Sequence, residues 1–459
     1  MRFVVEKIKQ YQFFIFIALV LLVSTLVWWH YFGTHGKILG DAKQYQELSL
    51  NLLRNHSFSL DGELSMMREP AYPVFLAVNY YLFGVNPTII RVEQVVLYYL
   101  IILMAYFLAS KIFNIFIARF TALILSVYPV YIISTNLLYS EILATFFAMV
   151  LVLFFYLAQK TDKISFYAAA GLTLGLLILT KGAFIIFAPL CLLLILINRG
   201  ITKNALKIAL IFSACLILVT VPWVARNYSY FGEPSFASRG GVLLYQRAIR
   251  VDYDRSQVTK YLITSFGGEY FVRRFVDVEY DYERDGKGVY AVREERDRIY
   301  RMLGTENYDK VDGAMRKDAI KIVKEHPVSY FLWGLVELNN LNSPMIYYDR
   351  HFGIFHDDIY GHEILKSSTI ILLRFGWYLF LALVVLGGYN IIKTKYRQAY
   401  ILLLAVIAAN SVSFFLDGVP RFLMPVFPIY IVLALCGLIC FTNAHFYRNK
   451  AGNNLIASG

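Results

Sequence analysis

Long apolar segments constrain this chain more than any other feature of its sequence. They recur in runs of about 17 residues or more, the length of helix that crosses the hydrocarbon core of a bilayer. Hydrophobic residues make up 58% of the 459 residues and charged residues only 17%, more apolar surface than a soluble protein of this size could bury. We therefore predict an all-α integral membrane protein with about ten spans, although nine to thirteen remain open. The predicted spans are roughly 11–32, 92–110, 119–137, 142–158, 164–180, 182–198, 207–225, 367–392, 398–416 and 421–443.

The distribution of charge predicts which side of the membrane each loop faces. The two termini and alternate short connections between spans carry a net charge of about +13, and the rest of the chain about −1, which together give the net charge of +12. This positive-inside pattern places both termini in the cytoplasm and two long loops, about 33–91 and 226–366, outside. A nucleic-acid partner would require a basic patch on one folded face, and none is visible. We expect a multi-pass protein of the plasma (inner) membrane.

The same pattern divides the chain into three regions. Residues 1–225 form a transmembrane module with the outer loop 33–91, and residues 367–459 form the last transmembrane helices. Residues 226–366 are rich in charge and tyrosine. We predict a small, mainly helical extracytoplasmic domain there, because residues 290–303 and 312–325 show helical spacing and an apolar helix follows at about 328–340.

The segment Pro70–Gly84 is apolar but only about fifteen residues long. An eleventh span here would reverse the side of every later loop and destroy the charge asymmetry. We therefore expect a helix that lies in the outer interface of the membrane.

Three carboxylates fall at predicted outer ends of the apolar segments. Asp41 and Glu69 lie in the first outer loop, and Glu141 begins the fourth span. An acid at the apolar boundary costs free energy unless it is paired or functional, and Asp41 is well placed to act as a general base on a lipid-borne substrate. The alternatives are an N-terminal helix cap for Asp41, on residues 42–53, and a water-facing interfacial position for Glu141.

Four positive charges break the rule that cations are scarce outside: Arg68, Lys181, Arg226 and Arg421. Several cations at one interface suit a lipid phosphate or pyrophosphate, which arginine can bind through two parallel hydrogen bonds. The alternative for any single one is that its side chain extends to ordinary lipid head groups.

Other kinds of site receive little support. His351, His356 and His362 cluster before the eighth span, but their spacing matches no established metal pattern, so we assign no metal ligand. All four cysteines fall within spans, which argues against a disulfide framework. Nucleophilic-serine motifs and a Walker phosphate loop are absent from the sequence, so the chain lacks the nucleotide-binding machinery of a pump or a nucleotide-sugar enzyme.

The order of several short motifs resembles the polyprenyl-phosphate-sugar-dependent glycosyltransferases of the GT-C class. The closest resemblance is to family 39, the protein O-mannosyltransferase and aminoarabinose-transferase group. The motifs are Asp41 with Tyr45, Arg68-Glu69-Pro70 with Tyr72-Pro73, Tyr139-Ser140-Glu141, Leu179-Thr180-Lys181, Pro222-Trp223 with Arg226-Asn227, Phe231-Gly232-Glu233-Pro234, Gly240-Gly241 and Pro420-Arg421.

The resemblance implies a GT-C-like helical bundle that moves a sugar from a polyprenyl-phosphate carrier to an acceptor hydroxyl, with inversion. Asp41 would be the general base, and Glu69 and Glu141 would support it or bind a divalent metal ion. The substrate-binding residues would be Arg68, Tyr45, Tyr72, Lys181, Arg226 and Arg421. Relatives often have arginine where this chain has Lys181. The outer domain would select the acceptor, whether protein, lipid or glycan.

Two other functions stay open at this point. A non-enzymatic lipid or solute transporter, or a flippase, would carry charges at the bilayer midplane and internal repeats, whereas the charges here gather at the interfaces. A surface-polysaccharide polymerase or ligase would use a pyrophosphate-linked glycan, and that class tends to carry its main loop late in the chain.

Overall fold

The fold is an α-helical bundle with one minimal hairpin of two-residue strands among the described residues. The computed structural model describes residues 2–32, 38, 40–252, 255–267, 275, 294, 297–299, 301–302, 308–343, 363–416 and 418–442. The helices are α1 (Arg2–Phe32), α2 (Asp41–Asn55), α3 (Ala71–Phe83), α4 (Pro87–Ile112), α5 (Ile115–Val127), α6 (Pro129–Asn136), α7 (Glu141–Thr161), α8 (Ile164–Thr180), α9 (Phe187–Arg199), α10 (Lys203–Phe231), α11 (Gly240–Ala248), α12 (Arg255–Ser265), α13 (Tyr308–Glu325), α14 (Pro327–Leu341), α15 (Glu363–Lys393), α16 (Tyr400–Phe415) and α17 (Phe427–Thr442). Short 3-10 segments cover Gly182–Ile186, Ile249–Asp252, Arg397–Ala399 and Pro420–Val426, and the strands β1 (Ser59–Leu60) and β2 (Glu63–Leu64) pair antiparallel.

Each of the ten predicted spans coincides with apolar helix in the described part of the chain. Eight helices there are long and apolar enough to cross a membrane, and the bent pair α5 and α6 makes a ninth. The remaining one, α8, has 17 residues. The prediction of an all-α, multi-pass membrane protein is therefore confirmed.

The ends and bends of the helices follow from local chemistry. The side chains of Asn86, Asn114 and Thr202 accept hydrogen bonds from backbone N–H groups in the first turns of α4, α5 and α10, which satisfies donors that the helix leaves unpaired. Pro129 lacks an N–H group and begins α6, where the chain bends by 48° from α5.

Glycines allow the closest approaches between spans. A Cβ atom on Gly171 of α8 would lie 2.3 Å from the carbonyl oxygen of Phe212 in α10. Gly387 and Gly437 play the same part between α15 and α17, where a Cβ atom on either would lie within 2.1 Å of a carbonyl oxygen of the other helix. Small residues at such crossings let helix backbones pack against each other within a membrane.

The helices α11 to α14 form two small apolar cores outside the main one. Tyr245 and Ala248 of α11 pack with Met315 and Ala319 of α13, and α12 and α14 share the second cluster. The helices predicted at 312–325 and 328–340 are present as α13 and α14. The helix predicted at 290–303 and the histidines of 351–362 lie largely or wholly outside the described residues.

Three local features differ from or refine the expectations. The helix α10 continues to Phe231, so Arg226 lies within it rather than after it. The Pro70–Gly84 segment forms the single helix α3, with Val78, Tyr81 and Leu82 largely exposed. The hairpin of β1 and β2 turns at Asp61-Gly62, where both residues have positive φ, as a two-residue hairpin turn requires.

Candidate active site

Asp41 is held at the first position of α2, facing into the bundle. Gly40 precedes it with φ of 56°, a left-handed conformation that glycine adopts without strain. An acid in the first turn is stabilised by the helix dipole. The Asp41 side chain is 24% exposed, so it reaches a cavity while most of its surface is covered by protein.

Arg68 is the closest partner of Asp41. Its guanidinium donates to Oδ1 of Asp41, and its Nε donates to Oε1 of Gln44, one turn along α2, at 2.8 Å. The Arg68 side chain is only 5% exposed. Charge-assisted hydrogen bonds of this kind fix both geometry and charge, so Arg68 is locked against the start of α2.

Two further guanidinium groups face the same carboxylate. Nη2 of Arg421, from the 3-10 segment Pro420–Val426, lies 3.3 Å from Oδ2 of Asp41. Nη1 of Arg239, immediately before α11, lies 3.9 Å from Oδ1. Asp41 is therefore surrounded by cations that come from three distant parts of the chain.

A second group of charged side chains consists of Lys181, Glu141 and Glu69. Nζ of Lys181 is 2.9 Å from Oε1 of Glu141, the first residue of α7. Glu69 Oε1 accepts a hydrogen bond of 2.7 Å from the backbone N–H of Gly182. A Cβ atom on Gly182 would lie 3.0 Å from that carboxylate oxygen, so the break between α8 and α9 brings the backbone close to Glu69.

These side chains line one cavity of about 330 Å³. Seven of the nine residues predicted from the sequence line it, and they are Asp41, Tyr45, Arg68, Glu69, Glu141, Lys181 and Arg421. The rest of the lining is largely apolar and includes Phe184, Leu243, Val412 and Leu416. The cavity thus combines charged and apolar side chains, as a ligand with an ionic head and an apolar chain requires.

The two predicted tyrosines lie at different depths. Tyr45 stands one turn after Asp41 in α2, and the Arg68 guanidinium lies 5.1 Å from its ring centroid. Tyr72 packs edge-on against Tyr45, with ring centroids 5.0 Å apart, and is fully buried. Its hydroxyl donates to Gln94. Tyr72 does not line the cavity and instead supports Tyr45 from behind.

Arg226 lies outside the cavity. Its Nη1 donates to the carbonyl oxygen of Ser65 at 2.9 Å, and its guanidinium lies within about 6 Å of four aromatic rings, among them Trp223 at 4.9 Å. These contacts fasten α10 to the segment that leads into Arg68. The predicted role of Arg226 in substrate binding stays a prediction.

The charges around Asp41 determine its protonation. Burial raises the pKa of the Asp41 carboxyl, but the guanidinium groups of Arg68, Arg421 and Arg239 outweigh burial and hold this pKa well below its usual range. Asp41 is therefore ionised in this arrangement.

The described residues do not fit a metal ion. No three His, Cys, Asp or Glu side chains within the described ranges lie close enough together to ligate one. Glu69, Glu141 and Asp41 each already bind a cation or a backbone N–H group. We therefore derive no chemical step through a metal.

Two contributors to the site were missed at the sequence level. Arg239 adjoins the Gly240-Gly241 motif but was not singled out, because it lies in a region where charged residues are common. Gln44 is neutral and carries no signal of its own beyond its spacing of three residues from Asp41. Both are recognised only once the fold brings them to Arg68 and Asp41.

Residues 68–225 match the family described as dolichyl-phosphate-mannose-protein mannosyltransferase. No curated protein matches the chain.

Two solved structures are similar in fold, and a third is a weaker match. The oligosaccharyltransferase AglB from Archaeoglobus fulgidus, in complex with an inhibitory peptide and a dolichol-phosphate, superposes with a TM-score of 0.50 and 16% identity over 95% of this chain and 52% of AglB. Its apo form gives the same score and identity over 96% and 52%. ArnT from Cupriavidus metallidurans bound to undecaprenyl phosphate gives 0.42 and 15% over 92% of this chain and 77% of ArnT.

The chain spans about half the length of AglB. The likeness in fold covers nearly the whole chain, whereas the family model covers its N-terminal part. Together they confirm the expected resemblance to the GT-C glycosyltransferases.

Proposed function

We propose that this protein transfers a sugar from a polyprenyl-phosphate carrier to an acceptor hydroxyl, with Asp41 as general base and inversion at the anomeric carbon. The observation that carries the proposal is the cavity in which Asp41 faces three guanidinium groups and the rest of the lining is largely apolar. The family match over residues 68–225 and the AglB-like fold point to the same class of reaction.

The balance of charge in the cavity suits this donor. Four cationic and three acidic side chains line it, so their sum is +1. A sugar linked through a phosphodiester carries one negative charge, and the prenyl chain would lie against the apolar residues of the lining. Arginine binds phosphate oxygens in a planar, two-bond geometry, which gives Arg68, Arg239 and Arg421 their role toward the head group.

The proposed reaction is a single displacement at the anomeric carbon. The acceptor oxygen bonds to the anomeric carbon as Asp41 takes the hydroxyl proton, and the bond from that carbon to the phosphate oxygen breaks. Its electron pair leaves with the polyprenyl phosphate, which gains one negative charge over the donor. The guanidinium groups stabilise this growing charge. Because the acceptor attacks opposite the leaving group, the configuration inverts.

The position of the site relative to the membrane follows from charge. The basic connections between spans lie at the other ends of the helices from Asp41 along the predicted topology. We therefore assign the reaction to the extracytoplasmic face, where no nucleotide donor is available and a lipid-linked one is. The transferred sugar is a hexose or a pentose, and the acceptor is a protein, a lipid or a glycan.

The Asp41→Asn variant tests the proposal. Purified protein in vesicles receives radiolabelled polyprenyl-phosphate mannose and a membrane extract of its own cells as acceptor, and both sugar transfer and released polyprenyl phosphate are measured. A panel of other polyprenyl-phosphate sugars is then tested as donors in the same assay. Loss of a general base predicts a fall in transfer of about 10²- to 10⁴-fold.

Donor binding distinguishes this loss from a damaged site. Removing the negative charge of Asp41 removes a competitor for three guanidinium groups, so binding of the donor should be unchanged or tighter. The matched control is Asp61→Asn, the same change at an exposed turn of the same loop. Wild-type transfer by Asp41→Asn would remove Asp41 from the mechanism, and transfer from none of the donors by the wild type would refute the proposed reaction.

A further inference from the structure

We infer that Glu337, which lies outside the cavity, is a positioning residue that fixes Arg421 on the cavity wall. Glu337 belongs to α14, and its side chain is 1% exposed. The inference rests on the proposed function only for its binding assay, because the position of Arg421 can also be measured directly.

The carboxylate of Glu337 holds the chain just before Arg421. Its Oε2 accepts a hydrogen bond of 2.9 Å from the backbone N–H of Gly418. The backbones also meet closely, since a Cβ atom on Gly418 would lie 2.0 Å from the carbonyl oxygen of Glu337. Gly418 is three residues before Arg421, and Pro420 between them restricts the chain further. Fixing Gly418 therefore limits where the Arg421 side chain can reach.

Two arginines also bind the carboxylate of Glu337. Nη1 of Arg250 lies 2.5 Å from Oε1 of Glu337, and Nη1 of Arg247 lies 3.4 Å from the same oxygen. Arg247 also donates to the carbonyl oxygen of Phe414 at 3.3 Å, close to the end of α16. The connection from α16 to the segment of Arg421 is thus held on both sides, at Phe414 and at Gly418.

A buried ionic cluster is a poor source of stability alone, because desolvation offsets most of the attraction. Well-packed apolar side chains would stabilise the same place as effectively. What this cluster supplies is a single arrangement, in which Arg421 Nη2 sits 3.3 Å from Asp41. The region after α10 therefore builds one wall of the site, beyond its predicted part in acceptor selection.

A double-mutant cycle separates positioning from general destabilisation. The variants are Glu337→Ala, Arg421→Ala and both together, and the measurement is the dissociation constant for undecaprenyl phosphate in detergent. If Glu337 acts through Arg421, Glu337→Ala weakens binding about tenfold in the wild type and less than about twofold beside Arg421→Ala. Glu337→Gln should recover most of the affinity, because its amide oxygen can still accept from Gly418.

Chemical modification measures the position of Arg421 without any substrate. Phenylglyoxal reacts with accessible guanidinium groups, and peptide mass spectrometry reports the rate at each arginine. Glu337→Ala should raise the rate at Arg421 several-fold and leave Arg199, at the far end of α9, unchanged. Should Glu337→Ala fail to fold, Gly418→Ala takes its place, because it displaces the same backbone without removing a charge. Gly418→Ala should then weaken binding in the wild type and have little further effect beside Arg421→Ala.

The inference would be overturned if Glu337→Ala lowered the affinity equally in the wild type and in Arg421→Ala. It would also be overturned if Glu337→Ala left the reactivity of Arg421 unchanged. If the wild type binds no undecaprenyl phosphate, the proposed carrier is wrong, and the modification rates alone decide the role of Glu337.

Discussion

The ion pair of Lys181 and Glu141 gives a quantitative test of how the site is held together. Nζ of Lys181 lies 2.9 Å from Oε1 of Glu141, and their side chains are 16% and 5% exposed. Removing one partner of a buried pair leaves an uncompensated charge and costs about 3–5 kcal/mol. The two single variants should not cost the same, because the acid is the more deeply buried partner.

Lys181→Met should destabilise the protein by about 3 kcal/mol, at the low end of that range, because the helix N-terminus of α7 still favours the Glu141 charge. Glu141→Gln should cost only about 1 kcal/mol, because the amide can still accept a hydrogen bond and the lysine can reach water. The double variant removes both charges, so we expect a loss of about 1–2 kcal/mol and a coupling of about 2–3 kcal/mol.

Equilibrium unfolding in mixed micelles of SDS and a mild detergent measures these differences, with tryptophan fluorescence as the signal. The matched control is Lys163→Met, the same change at an exposed lysine before α8. Additive losses in the double variant would refute the reasoning, because they would mean that the two side chains do not depend on each other.

Two more predictions follow from the geometry. In Arg68→Gln the pKa of Asp41 rises, since one guanidinium no longer opposes the effect of burial. The acid limb of the kcat/KM profile should then move to higher pH than in the wild type. An unshifted limb would mean that the acid limb does not report the protonation of Asp41. Gly171→Ala places a Cβ atom 2.3 Å from the Phe212 carbonyl oxygen and should cost about 1–3 kcal/mol in the same unfolding assay. Gly376→Ala, where a Cβ atom meets nothing within 4 Å, is its control and should change little.

The spans could be predicted from the sequence because their signal is simple. A membrane admits little but helices of sufficient length, so run length was enough to place the span 119–137, which contains α5 and α6, and the spans 164–180 and 182–198 on either side of Lys181. The hairpin of β1 and β2 was not predicted, although Asp61-Gly62 is a favourable turn pair, because its strands are too short for any alternation to show.

The site could be predicted only where charge is rare. Asp41, Lys181 and Arg421 stand out because they lie beside apolar spans, where an unpaired charge costs free energy. Arg239 has no such contrast, and its approach to Asp41 depends on how α11 packs against α13. Arg226 also stood out, but a sequence does not give the direction of a side chain, and this one turns toward Trp223 rather than the cavity.

The arrangement around Asp41 has a consequence for the proposed chemistry. A carboxylate opposed by three guanidinium groups is a weak base, because those cations stabilise its charge. The proposed donor brings a phosphate that competes with Asp41 for Arg239 and Arg421, whereas Arg68 stays held by Gln44 and Asp41. As Arg239 and Arg421 turn toward the phosphate, Asp41 loses part of its counter-charge while its burial remains, so its pKa rises and it becomes a stronger base. Base strength then depends on an occupied donor site, which suppresses proton abstraction when there is no sugar to transfer.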